Sequence, residues 1–236
     1  MVKLNAYIPT CDKFTNLIEA NLISLEKYFP KEIDIIILGY KPPMCELSSN
    51  VTFISMGEDR GPSQWSTDLR NYFQQIDDKY FIYLNDDGVL IEEVTLDQIN
   101  NAYNLIGPSV GRLSLTHDLF TRPHNVVDDK IIVAAQDSEY RCSTQYSIWN
   151  MEYFLKYLKP NLSPWDFEIH QSKKAKNDGY DIIGLKNPIF HFLHLYQRGN
   201  YRKEWRVPCH KSNSKLDKEL ELQISKIINN DINLFK

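Results

Sequence analysis

The sequence is poor in glycine and has no long apolar run, and each shortage excludes a class of protein. Nine glycines among 236 residues exclude a collagen-like or low-complexity chain. The most apolar run, residues 33–40, is far shorter than the about 20 residues that a membrane-spanning helix needs. The apolar stretch at residues 1–9 is too short for a secretory signal, so we expect no export and at most a peripheral association with a membrane.

Cysteine and positive charge are also scarce. The four cysteines, at positions 11, 45, 142 and 209, form no CxxC pair, which disfavours a zinc ribbon and suits reduced thiols in a cytoplasmic protein. The net charge of −4 supplies no overall positive field for nucleic acid or anionic lipid, although a local basic patch remains open. A hydrophobic content of 42% indicates a packed interior, and the length favours a single domain.

Strands and helices alternate in the first 90 residues. Apolar and β-branched runs predict four strands, with one helix after the first strand and another after the third. This βαββαβ order predicts an α/β fold built on a Rossmann-like sheet with helices on both faces, and it places ligands at the carboxyl ends of the strands. The four strands are Leu4–Ile8, Ile33–Gly39, Val51–Met56 and Lys79–Leu84.

The remaining chain is less regular. We expect helices at 95–105 and 151–158 and after Pro164, strands at 111–116 and 180–185, a polar loop at 119–129 and the start of a hairpin at 131–135. Ser214 predicts the cap of a terminal amphipathic helix with an apolar stripe of Leu216, Leu220, Ile224 and Ile227. No repeat or linker divides the chain, so we predict one domain with three parts, 1–90, 91–205 and 206–236.

The sharpest motif is Asn85-Asp86-Asp87-Gly88, directly after the fourth strand. Adjacent carboxylates repel each other unless a cation or strong donors offset their charge, and ligands gather at this end of a parallel strand. Mg²⁺ or Mn²⁺ held by one or two carboxylates keeps positions for diphosphate oxygens. A solvent-exposed turn is the alternative interpretation.

The order of several short motifs resembles the GT-A type nucleotide-sugar glycosyltransferases, of the family 2-like bacterial and viral type. The resemblance covers about residues 4–200 and implies an enzyme, a hexosyl- or pentosyltransferase, that moves a sugar from a nucleoside-diphosphate donor to an acceptor hydroxyl. It makes 1–90 the donor half and 91–205 the acceptor half. The motifs are Pro9-Thr10-Cys11-Asp12, Gly57–Ser63, Arg70-Asn71, Asn85-Asp86-Asp87, Ser147–Asn150 and Ser163–Glu168.

The resemblance implies that Asp87 is a metal ligand and that Asp86 lies beside the metal or the ribose. Asn85 departs from the usual acid at the first position and adds no charge. A carboxy-terminal histidine completes the metal site in some relatives, and of His191 and His194 we select His191. The two histidines share a face on a helix but point oppositely on a strand.

Donor binding is expected to involve five further residues: Thr10, Asp12, Asp59, Arg60 and Arg70. Asp12 could accept a hydrogen bond from base or ribose, or it could cap the following helix. The forked donors of arginine suit a diphosphate, although Arg70 could instead be a solvated surface residue. The basic segment 196–203 is a further candidate for binding diphosphate or an acidic acceptor, or a solvated loop.

An inverting transfer needs a carboxylate that takes the proton of the acceptor hydroxyl. Asp166 occupies the position of this base in the resembling family, with Glu168 as the second candidate. The two are about 200° apart on a helix, so one of them is expected to be structural, and Asp166 could be a first-turn acid that complements the helix dipole. Trp149 and Trp165 offer ring faces to an acceptor sugar, or belong to the core.

Two other classes remain open at this point. One is a non-catalytic nucleotide- or sugar-binding module of the same fold, and the other is a different metal-dependent phosphoryl-transfer enzyme or hydrolase. Within the leading class the acceptor could be a glycan, a lipid-linked sugar, a protein or modified DNA. The sequence leaves the sugar, the base and the oligomeric state undetermined.

Overall fold

A computed structural model describes residues 4–197, 200–201 and 217–234. The strands in these ranges are β1 (Ala6–Pro9), β2 (Ile35–Gly39), β3 (Val51–Ser55), β4 (Tyr80–Tyr83), β5 (Gly88–Leu90), β6 (Val110–Ser114), β7 (His124–Val126), β8 (Ile131–Ala134), β9 (Ser147–Asn150), β10 (Asp181–Leu185), β11 (Phe192–His194), β12 (Tyr196–Gln197) and β13 (Asn200–Tyr201). The helices are α1 (Thr15–Tyr28), α2 (Trp65–Phe73), α3 (Leu96–Tyr103), α4 (Met151–Tyr157), α5 (Pro164–Asp166), α6 (Ser172–Lys174) and α7 (Lys218–Leu234). A π-helical turn, Phe167–Gln171, joins α5 to α6.

Nine strands form one central sheet in the order β3-β2-β1-β4-β9-β6-β10-β8-β7. Strands β1 to β4 are mutually parallel where they pair, and β9 lies antiparallel between β4 and β6. Strands β4 and β6 therefore run in the same direction, and their carboxyl ends meet at one edge of the sheet. We call this edge, with the carboxyl end of β1, the carboxyl edge.

Helices cover both faces of the sheet, as the alternating pattern predicted. Side chains of α1 and α3 pack on one face with Ile8 and Ile82, and side chains of α2 and α4 pack on the other with Tyr7 and Phe81. Strands buried on both faces read as continuous apolar runs, which is why β1, β2 and β4 were evident in the sequence. The predicted α/β fold with a central sheet in a single domain is confirmed.

Strands β1 and β4 lie in one sheet, as predicted, and they are direct neighbours in it. In the parallel pair β1–β4, Ala6 is opposite Ile82 and Tyr7 is opposite Tyr83. This pairing brings the residues after β1 to the same edge as the residues after β4. The carboxyl edge is therefore where Thr10 and Asp86 meet.

Two segments of the central sheet differ from the sequence-based expectations. Residues 147–150 form the central strand β9, and β7 lies inside the expected polar loop, where it pairs with β8. Helix α7 packs against α1 through Leu220 and Ile224, but the predicted cap at Ser214 and the apolar residue Leu216 lie outside the described residues. Within the ranges above, no helix has the length and apolar character to cross a membrane.

Candidate active site

One asparagine of α1 binds the backbone of the acidic turn, residues 85–88. Asn21 donates through Nδ2 to the carbonyl of Asn85 at 2.7 Å and also to the carbonyl of Gly88. Gly88 begins β5 with no space for a side chain, because an added Cβ would lie 2.0 Å from the hydroxyl oxygen of Tyr146. The turn therefore has a fixed backbone, which fixes the direction of its two carboxylates.

Within the described ranges, the two carboxylates of the acidic turn, Asp86 and Asp87, are not neutralised by a lysine or an arginine. Thr10 donates its hydroxyl to Asp86 Oδ2 at 3.1 Å. Burial raises the pKa of Asp86 to about 7, and the charge of Asp87 adds to this rise while the Thr10 hydrogen bond opposes it. Among the described residues, no lysine or arginine forms an ion pair with either aspartate. Such a pair is suited to an added cation.

His194, rather than the predicted His191, lies beside the acidic turn. Strand β11 pairs with β5 so that His194 is opposite Gly88, and its Nδ1 lies 3.3 Å from each carboxylate oxygen of Asp87. His191 precedes the strand, and its Nε2 lies 3.7 Å from Glu92 Oε2. Residues three apart along an extended chain point to opposite faces, so the structure brings His194 rather than His191 to Asp87.

Asp87 and His194, with Asp86 beside them, supply donor atoms of the kinds that suit a divalent cation. Two carboxylates and an imidazole provide oxygen and nitrogen donors, and a diphosphate can supply the remaining ligands of Mn²⁺ or Mg²⁺. In the described part of the chain, no group of three or more His, Cys, Asp or Glu side chains is already assembled as a metal site. A cation here would therefore be held jointly by the protein and its ligand.

Two predicted donor residues, Asp12 and Asp59, meet close to Thr10. The backbone N–H of Asp12 donates to Asp59 Oδ2 at 3.1 Å, and Asp59 Oδ1 accepts from the N–H of Gly61 at 2.9 Å. The Asp12 carboxylate accepts a hydrogen bond from the backbone N–H of Lys41 at 3.1 Å, and it pairs with the ammonium group of Lys41 at 3.0 Å. Asp12 does not cap the following helix with its side chain, which excludes the alternative interpretation of this residue.

The thiol of Cys11 lies within electrostatic range of both Asp59 and Asp86. Burial raises the pKa of Cys11 to about 11, and the negative charges of Asp86 and Asp59 contribute to the rise. Cys11 therefore lies within range of both carboxylates. The polar groups that follow β1 and β4 thus lie near one another at the carboxyl edge.

The two predicted donor arginines have different surroundings. Arg60 is 52% exposed and pairs with the buried carboxylate of Asp68, which also accepts from Tyr40 at 2.9 Å. Arg70 donates through one guanidinium nitrogen to the carbonyls of Leu155 at 2.7 Å and Leu158 at 3.1 Å. Arg70 thus ties α2 to the end of α4, and its assignment to donor binding is corrected.

Asp166 has the role of a helix cap. Its Oδ2 accepts from the N–H of Ser163 at 3.1 Å and from the Ser163 hydroxyl at 2.6 Å, in a reciprocal capping box. Its Oδ1 lies 3.2 Å from His170 Nδ1 on the exposed side of the helix. The hydrogen bonds from Ser163 lower the pKa of Asp166. Both oxygens are occupied by local contacts, so the structure gives Asp166 the structural role that was the alternative.

Glu168 points into the body of the protein from the π-helical turn, a kind of distortion that often accompanies functional sites. Its Oε1 accepts from Thr144 N at 2.7 Å, Thr144 Oγ1 at 2.8 Å and Ser143 Oγ at 3.4 Å. Its Oε2 has no hydrogen bond to any described residue. Burial raises the pKa of Glu168, and the hydrogen bonds from Thr144 oppose that rise.

Tyr83 lies within electrostatic range of both Glu168 and the acidic turn. Burial raises the pKa of the Tyr83 phenol, and the negative charges of Asp86, Glu168 and Asp87 raise it further. Strand pairing supports the same placement, because Tyr83 is opposite Ser147 and the loop with Thr144 directly precedes this residue. Tyr83, the last residue of β4, therefore has both the acidic turn and Glu168 near it at the carboxyl edge.

A buried arginine near Glu168 was missed in the sequence. Arg112 is fully buried on β6, pairs with Asp118 at 3.1 Å and also donates to the hydroxyl of Ser147 at 3.3 Å. Its positive charge opposes the rise in the pKa of Glu168. An arginine inside an apolar strand is unusual unless it is paired, so the run Gly111-Arg112-Leu113 carried a signal for this site.

The two predicted acceptor tryptophans differ in exposure. Trp149 is 0% exposed on β9 and packs among the rings of Tyr153, Phe154 and Phe167, so it offers no face to a sugar. Its assignment to acceptor binding is therefore wrong, and the core interpretation is correct. Trp165 is 62% exposed on the helix that leads to Glu168. It stays a prediction as an acceptor platform.

The sheet order and the position of the acidic turn define the GT-A glycosyltransferase fold, and solved structures of that class are similar to this chain. Residues 1–349 of S. aureus TarS in complex with UDP give a TM-score of 0.51 at 14% identity, covering 81% of this chain and 60% of that one. A second structure of TarS residues 1–349 gives a TM-score of 0.50 at 14% identity, covering 81% of this chain and 60% of that one. The mannosyltransferase PcManGT from Pyrobaculum calidifontis, in complex with GDP-Man and Mn²⁺, gives 0.47 at 14% identity, covering 84% of this chain and 58% of that one.

These similarities are confined to the fold. The sequence matches no protein-family model and no curated protein. This chain spans about 60% of the length of the TarS fragment. The activity, the substrates and the roles of individual residues therefore depend on the geometry of the site.

Proposed function

We propose that the protein is a metal-dependent, inverting glycosyltransferase that moves a hexosyl or pentosyl group from a nucleoside-diphosphate donor to an acceptor hydroxyl. The observation that carries the proposal is the contact of the acidic turn with His194, whose Nδ1 lies 3.3 Å from the Asp87 carboxylate. Glu168 is a further carboxylate near this turn, since both Glu168 and the turn lie within electrostatic range of Tyr83. One group of residues thus suits a diphosphate with a cation, and a separate carboxylate suits an acceptor proton.

The donor is proposed to bind along the ends of β1 and β4. Asp87, with Asp86 and His194 beside it, would hold Mn²⁺ or Mg²⁺, which supplies positive charge to a departing nucleoside diphosphate. Thr10, Asp12 and Asp59 lie where the nucleoside would reach. UDP is bound in the TarS structure of the same fold, so it is the first nucleotide to test.

The general base is proposed to be Glu168, acting through Oε2. This oxygen is open, whereas Oε1 is held by Thr144, and the raised pKa of the buried carboxyl makes it a better proton acceptor than an exposed acid. A single carboxylate that activates the acceptor suits direct displacement at the anomeric carbon. That mechanism inverts the configuration.

Donor hydrolysis and transfer test the proposal. UDP- and GDP-sugars are incubated with Mn²⁺, and the product is examined by ¹H NMR for its anomeric configuration. Inverted product supports the proposal, and retained configuration contradicts the mechanism. The transfer assay is repeated with glycan, lipid-linked, protein and modified-DNA acceptors. If UDP or GDP binds but no donor is turned over with any of these acceptors, the result would favour a binding module instead. The cytoplasmic location stays a prediction from the cysteine pattern.

A further inference from the structure

Thr144 gives two hydrogen bonds to one oxygen of Glu168. Its N–H and its hydroxyl lie 2.7 Å and 2.8 Å from Oε1, and Ser143 adds a longer contact at 3.4 Å. A carboxylate held by two donors from one residue cannot rotate without losing both. The position of Oε2 is therefore determined by a residue that need not itself touch a substrate.

The loop that carries Thr144 is joined to the helical segment of Glu168 at a second point. The N–H of Cys142 donates to the hydroxyl of Ser172 at 2.9 Å in a buried contact. The other end of the loop enters β9, which pairs with β4 and β6 in the centre of the sheet. Thr144 thus connects Glu168 to a strand that is paired on both edges in the central sheet.

The surroundings of Glu168 explain why two donors matter. Burial disfavours its charged form, and the negative charge of Asp118 adds to that effect. Arg112 acts in the opposite direction, and the Tyr83 phenol is the other titratable group within range. The hydrogen bonds from Thr144 favour the ionised carboxylate, which is the form that can accept a proton.

We propose that Thr144 is the positioning residue of the general base: it orients Oε2 of Glu168 toward the acceptor hydroxyl and keeps the carboxylate ionised. This inference rests on the proposed function of Glu168. The backbone N–H would remain in any substitution, so the hydroxyl is the part that mutagenesis can test. Thr144→Val removes only the hydroxyl at nearly constant shape, and Thr144→Ser retains it.

The pH dependence of kcat distinguishes this role from simple packing. Because a hydrogen bond to a charged group contributes enough to shift a pKa by about one unit, Thr144→Val should move the acidic limb of kcat upward by about one pH unit. Below that limb kcat should fall about tenfold with little change in the KM for the donor. Thr144→Ser should follow the wild-type profile. A wild-type profile for Thr144→Val would overturn the inference.

A second measurement does not depend on turnover. The ¹³C chemical shift of the Glu168 side-chain carboxyl, assigned with Glu168→Gln, reports its pKa in the folded protein of each variant. A higher pKa in Thr144→Val than in wild type and Thr144→Ser supports the inference even if no donor is turned over, in which case the proposed function alone fails. An unchanged pKa overturns the inference while leaving the proposed function intact.

Discussion

Replacing Glu168 by glutamine should remove the base without disturbing its surroundings. Thr144 presents two donors to Oε1, so the glutamine carbonyl oxygen must take this position and the amide NH₂ must take the position of Oε2. The amide NH₂, a hydrogen-bond donor, then occupies the position where the reaction needs a group that accepts a proton. General-base assistance is typically worth about 10²–10⁴ in rate, so kcat should fall by about that factor.

Asp166→Asn is the matched control. Asp166 lies two residues away on the same helical segment, but its carboxylate contacts Ser163 and His170. Its loss should weaken a capping box by about 1 kcal/mol and leave kcat within about threefold of wild type. The assay is steady-state transfer under saturating donor, with nucleotide affinity measured separately. A larger loss of kcat for Asp166→Asn than for Glu168→Gln would refute the assignment of the base.

The pH profile of the wild-type enzyme follows from the same carboxyl. The base must be ionised, and burial raises the pKa of Glu168 above the usual range of a carboxyl group. Activity should therefore be present above this raised pKa and lost as pH falls through it. The measurement is log kcat against pH. An acidic limb at or below the ordinary pKa of glutamate would contradict the burial argument.

Three further changes test other parts of the structure. His194→Gln should weaken Mn²⁺ binding in the presence of UDP, measured by calorimetry, and His191→Gln should not, because only His194 lies 3.3 Å from Asp87. Trp149→Ala should lower the free energy of unfolding by about 3–5 kcal/mol in urea titrations, whereas the exposed Trp165→Ala should change it by less than about 0.5 kcal/mol. Gly88→Ala should cost about 1–3 kcal/mol because its Cβ would press on the hydroxyl of Tyr146; equal stability to wild type would contradict this packing.

Much of the fold of the first 90 residues was predictable because β1, β2 and β4 are buried on both faces. Such strands produce apolar runs that stand out in the sequence, and the amphipathic helices between them have clear periodicity. Strand β9 was not predictable in the same way. Its four residues, Ser147–Asn150, lie between strands distant in sequence, and only the pairing with β4 and β6 shows that they are a strand.

The site was predictable to the level of its motifs but not of its side chains. The acidic turn follows a recognisable strand, so Asp86 and Asp87 could be singled out as candidates from the sequence. The choices between His191 and His194 and between Asp166 and Glu168 depended on local backbone direction. Strand β11 directs one histidine to Asp87, and the π-helical turn accompanies the inward direction of Glu168. Neither feature leaves a periodic signal in a short segment.

The central claim is that the acidic turn binds a nucleoside diphosphate through a divalent cation. Thermal unfolding with UDP and GDP, each with and without Mn²⁺, tests it in wild type and Asp87→Asn. At a ligand concentration 100-fold above Kd, binding to the folded state adds about 2.7 kcal/mol, or about 5–10 °C in Tm for a domain of this size. We expect Tm to rise by this amount in wild type when Mn²⁺ and one of the two nucleotides are both present. In Asp87→Asn we expect no such rise in Tm. A rise that is independent of Mn²⁺, or one that persists in Asp87→Asn, would contradict it.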